Sequence, residues 1–90
     1  MNKFRVGDRV RILKELDTNI PFGVNNSMRK LCGKVVKIAN VEWSGENYTY
    51  KHKPVYGLWC YHIQEDGRRW KWNEYMFGDV FSKGKTLPNE

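Results

Sequence analysis

The chain opens on an alternation. Phe4, Val6, Val10 and Ile12 interleave with Lys3, Arg5, Arg9 and Arg11, so a strand here has one apolar and one basic face. Gly7-Asp8 interrupts the run as a bulge or tight bend. The alternation is lost over residues 14–31, where Asp17-Thr18-Asn19, Pro21, Gly23 and Asn25-Asn26-Ser27 are turn formers, which predicts a long first loop. Within it, Asn26 or Ser27 is expected to cap one helical turn over Met28-Arg29-Lys30-Leu31, with Gly33 stopping it. A second strand is expected from about Lys34 to Trp43, then a turn at Ser44-Gly45-Glu46-Asn47, then an irregular segment or protruding hairpin over Tyr48 to Pro54.

The third strand is the clearest, Val55 to Ile63, rich in aromatic and β-branched residues. Glu65-Asp66-Gly67 supplies a hairpin turn into a returning strand, Arg68 to Trp72, with Trp70 and Trp72 on one face. Asn73 caps a single helical or 3₁₀ turn over Glu74-Tyr75-Met76, and Phe77 to Phe81 forms a short closing strand. Residues 82–90, with Gly84 and Pro88, are expected to be a flexible C-terminal tail behind a single domain over residues 1–81.

Five short strands, one long loop and one helical turn predict an all-β fold, a small five-stranded barrel closed so that no edge is left open. The opening Val6-Gly7-Asp8-Arg9-Val10 and the later Gly33-Lys34-Val35-Val36 resemble the SH3-like barrel superfamily, in the pattern of KOW-type and Mind-bomb-type barrels. Two further motifs, Arg29-Lys30-Leu31-Cys32-Gly33-Lys34-Val35 and Trp70-Lys71-Trp72-Asn73-Glu74-Tyr75-Met76-Phe77, resemble small uncharacterised proteins of bacteriophages and Gram-positive bacteria. That resemblance implies a barrel of phage or mobile-element origin and assigns no activity. Residues 44–54 are an addition to the pattern.

Composition narrows the class. Ninety residues hold one small domain, and a hydrophobic share of 40% supports a folded core. An aromatic share of 14% supplies burial that a short chain otherwise lacks. The net charge of +6 favours anionic partners, although acidic residues recur along the whole chain. The N-terminus reaches charge and glycine too early for an apolar secretory segment, and no apolar run is long enough for a membrane helix. The expected location is therefore the cytoplasm, that of the host cell for a phage-encoded chain, with Cys32 and Cys60 reduced and no membrane partner.

Chemistry is sparse. Two cysteines and two histidines equal one tetrahedral zinc site in number, and Cys60 and His62 share a face of the third strand. Zinc sites are built on paired short spacings, which are missing, so neither metal nor cofactor is expected. No nucleophile sits beside a base, no two carboxylates converge and no phosphate loop is present, so the chain is read as a non-enzyme. Two binding surfaces remain. SH3-like barrels often bind partners between the first loop and the loop before the last strands. Here those are residues 16–28 and 43–54, with Ile20, Phe22, Trp43, Tyr48 and Tyr50 as apolar anchors for a protein partner. The alternative is nucleic acid held by Arg5, Arg9, Arg11, Lys51, Lys53, Arg68, Arg69 and Lys71, interleaved with exposed rings. The function expected is a binding module, a phage or mobile-element accessory that occupies and inhibits a host protein.

Overall fold

In the computed structural model, which describes residues 4–81, strands dominate. They are β1 (Arg9–Ile12), β2 (Val35–Tyr50), β3 (Lys53–Ile63) and β4 (Phe77–Phe81), with one helical turn, α1 (Asn26–Arg29), and a 3₁₀ turn over Glu74–Met76. All pair antiparallel in a single sheet of order β3-β2-β1-β4. The long β2 changes partner along its length. Val35 to Lys37 pair with β1, and Ile38 to Tyr50 pair with β3. A register shift between Ile38 and Asn40 marks the corner. Bulges of this kind bend a strand and raise its twist, and here the sheet curls into a half-barrel.

The concave side of that curl is the core. Val10, Ile12, Val36, Ile38, Tyr61, Ile63, Trp72 and Met76 are at most 1% exposed. Phe4, Tyr61 and Phe77 meet edge to face at 5.4–5.8 Å, and Trp72 stacks on Phe77 at 6.1 Å. Each such ring contributes its burial and about 0.5–1.5 kcal/mol more from geometry.

Several expectations change. Four strands form among the described residues where five were predicted. The expected fourth strand, residues 68–72, is reduced to one bridge between Tyr61 and Trp72. The cause is local. Gly67 and Arg68 both take positive φ, and the Asp66 carboxylate accepts from the Arg69 backbone N–H and from Trp72 Nε1. Those bonds hold the segment as a turn. The first strand starts late for a similar reason: Gly7 at φ 93° reverses the chain and leaves Val6 60% exposed. Ser44 to Asn47 is not a turn but an irregular stretch inside β2. The cap of α1 is Asn25, one residue before the expected positions, its Oδ1 accepting from Met28 N–H at 2.8 Å. The Asn73 cap and the closing strand stand as expected. The expected tail, 82–90, lies outside the described residues.

Candidate functional site

The sequence places Lys51 and His52 between two strands, and the structure makes them a two-residue hairpin turn closed by the Tyr50–Lys53 pair. Both have positive φ, 52° and 65°. A two-residue turn with both centres at positive φ is the type I′ geometry, for which Asn-Gly is the unstrained choice. Ordinary side chains there cost about 1–2 kcal/mol per residue. The chain therefore presents two cationic or ionisable side chains at its hairpin tip in a conformation they do not favour.

This tip forms one wall of a groove of about 450 Å³. Thr49, Tyr50, Lys51 and His52 face Asp17, Thr18 and Asn19 of the first loop. The walls are tied together by Tyr50, whose hydroxyl donates to Asp17 Oδ2 at 3.1 Å while its ring stacks on Tyr75 at 4.4 Å. Burial raises the Tyr50 phenol above its ordinary pKa, and the Asp17 hydrogen bond and charge push it further. Lys51 Nζ lies 5.4 Å from the centre of the Tyr50 ring.

A second hollow of about 330 Å³ adjoins the same two segments, with Phe22, Trp43, Tyr48 and Lys71 in its lining. Phe22 meets Tyr48 edge to face at 5.3 Å, and the Tyr48 and Ser44 hydroxyls lie 2.6 Å apart. Phe22 reaches that ring from a backbone at φ 76°, a second strained position in the site. Asn73, fully buried, fixes the loop from below: its side-chain amide donates to Pro21 O at 2.6 Å, and its Oδ1 caps the 3₁₀ turn.

The two segments singled out in the sequence thus converge, with their residues in different roles. Trp43 is 55% exposed and leans on Trp59 at 5.1 Å. Phe22, Tyr48 and Tyr50 are half-buried and join loop to hairpin. Ile20 is a core residue, 4% exposed, so it supports the loop and does not reach its surface. Residues the sequence left out complete the groove, namely Asp17 to Asn19, Thr49 and His52. Only the expected two-loop arrangement pointed towards them.

The basic residues do not form one surface patch. Lys51 is in the hairpin turn and Lys53 follows it. Arg68 belongs to the turn after β3, Arg69 lies over the Trp70 ring at 5.9 Å, and Lys71 lines the second hollow. Arg5 precedes β1, while Arg9 and Arg11 stand on it, Arg11 with its Nε 3.6 Å from Asp79 Oδ2.

Cys60 and His62 do meet, Sγ to Nε2 at 3.6 Å, and Glu42 Oε2 approaches that same nitrogen at 3.5 Å. Nδ1 is buried without a partner. A relay needs the nucleophile and the orienting acid on opposite nitrogens of the imidazole base, so this arrangement does not orient the imidazole towards the thiol. Burial pushes the Cys60 thiol up in pKa, with Glu42 adding to it against Lys71 and the Trp72 backbone, so it stays protonated at neutral pH. Among the described residues no three His, Cys, Asp or Glu side chains form a metal cage, and no helix is long and apolar enough to cross a membrane. Comparison with family models, curated proteins and solved structures finds no match to this chain.

Proposed function

We propose that this chain is a non-catalytic binding module that takes a protein partner in the groove between its first loop and its β2–β3 hairpin tip. The observation that carries the reading is the convergence of these two segments, with Lys51 and His52 held at positive φ on the rim. Strained non-glycine residues cluster at binding and active sites. The groove mixes a carboxylate, an ammonium, hydroxyls and an amide, which suits the polar groups of a polypeptide better than a uniformly anionic polymer. The rings beside it pack on one another and are not splayed to receive bases. The curled sheet is compatible with an SH3-like barrel in which the fifth strand has shrunk to the Tyr61–Trp72 bridge. On the motif resemblance, the module is an accessory of a phage or mobile element, working in the host cytoplasm by occupying a host protein.

The test is affinity capture from a Gram-positive bacterial lysate with the native chain, with Asn19→Trp, which fills the groove from its exposed rim, and with Lys30→Glu as a distant control. A protein held by the native chain and the control but lost with Asn19→Trp supports the reading. The same proteins retained by all three, or none retained by the native chain, contradicts it.

A further inference from the structure

We propose that the outer face of β1 and the start of β2, at the far end of β2 from the hairpin groove, binds the phosphate backbone of nucleic acid without regard to sequence.

The placement begins with the strand pattern. Val10 and Ile12 of β1 and Val36 and Ile38 of β2 are buried in the core, so Arg9, Arg11 and Lys37 take the opposite face. The register then sets Arg9 directly across from Lys37, with Arg11 one step along, across from Val35. Like charges directly opposite in a ladder destabilise it. Nothing in folding asks for that pair. A carboxylate at either position would stabilise the sheet and keep the same alternation.

Neutralising partners are few. The one Lys or Arg ion pair among the described residues is Arg11 with Asp79, whose side chains are 43% and 72% exposed, a weak contact that an incoming anion can displace, while Arg11 Nη1 also donates to Gly33 O at 3.1 Å and keeps its positive charge. Glu65 stands at the edge of this face, but its Oε1 accepts from the Lys37 backbone N–H at 3.0 Å. A hollow of about 510 Å³ runs between the strands and the following turn, lined by Arg9, Val35, Val36, Lys37, Gln64 and Glu65. Residues two apart on a strand are about 6.6 Å apart. Arg9 and Arg11 stand two residues apart, across the register shift in β1, within reach of neighbouring phosphates on one strand. No ring lines this hollow, so the contact is to backbone charge and carries no base readout. The molecule's charge of +6 adds long-range attraction of the right sign.

The experiment is a fluorescence anisotropy titration with labelled single-stranded and duplex oligonucleotides of mixed sequence, about 20 nucleotides long, between about 0.05 and 0.2 M salt. The native chain is expected to bind at low salt with a log–log slope near about −3, one unit for each cation on this face. Lys37→Glu should weaken binding about tenfold and flatten the slope by about one or more, while raising the melting temperature through a new pair with Arg9. Lys30→Glu makes the same change of net charge at a residue outside the lining of the hollow and should stay within about twofold of native. Asp79→Asn, which removes the carboxylate beside Arg11 and leaves its bond to Gly33 O, should tighten binding. Lys37→Gln repeats the test where charge reversal disturbs the fold. The proposal is overturned by absence of binding at low salt, by equal losses in Lys37→Glu and Lys30→Glu, or by binding to phosphatidylserine vesicles with none to oligonucleotides.

Discussion

Trp43 owes its position to Gly57 on the facing strand. Gly57 has φ 89°, and a Cβ built there would overlap the Trp43 ring, so the indole lies against bare backbone. Gly57→Ala combines positive-φ strain with that overlap and is expected to cost about 1–3 kcal/mol. The loss should be smaller in a Trp43→Ala background, which denaturant melts of the four-member cycle will measure. At Tyr50 and Tyr75, burial raises both phenols above 10.0, with Asp17 adding at Tyr50 and Glu74 at Tyr75. A raised acid binds its proton more tightly in the folded state, so this contribution is complete below pH 10 and is lost as the pH climbs through the folded values. Spectrophotometric titration should find these phenols titrating late, and Asp17→Asn should bring Tyr50 back towards its ordinary value. Cys60, 4% exposed with its thiol pKa raised, should react with a thiol reagent more slowly than the half-buried Cys32.

Among the elements, Asn73 joins the first loop to the 3₁₀ turn through two hydrogen bonds made by one fully buried side chain. Asn73→Ala removes the cap and strands the Pro21 carbonyl, an expected loss of about 2–3 kcal/mol, or roughly 10 °C in melting temperature. The Asn73 cap was readable in the sequence because an Asn before a short amphipathic turn has one common use. The same holds for the closing strand and for the inward set Val10, Ile12, Val36, Ile38, whose period of two is unbroken. The sequence left the β2–β3 hairpin as one of two readings of Tyr48 to Pro54, because its signals are opposed. Gly45 and Asn47 are turn residues that the ladder absorbs as a bulge opposite the kink at Gly57, while the true turn, Lys51-His52, carries no turn residue at all. Local chemistry and final conformation disagree at that hairpin tip, and the groove proposed for binding lies beside it. The returning strand failed for a different reason, since the reach of the Asp66 side chain to Trp72 Nε1 is a tertiary contact with no mark in the pattern.

At the scale of the whole molecule, one curled sheet separates two surfaces along β2, a mixed polar groove at the hairpin tip and a cationic face where β2 meets β1. Their responses to salt separate them. A partner in the groove should be held almost equally at about 0.15 M and about 0.5 M salt, whereas contacts on the cationic face should fade over that range. The hairpin tip carries the proposed binding, and replacing Lys51-His52 by Asn-Gly probes it. Relief of the strained turn, offset in part by the greater chain entropy of glycine in the unfolded state, should raise the melting temperature by about 5 °C, from about 1 kcal/mol of net stabilisation. The same Lys51→Asn/His52→Gly chain should lose at least tenfold in affinity for the protein captured by the native one. A chain that becomes more stable and binds as before would mean that the two side chains are incidental and that the working surface lies elsewhere.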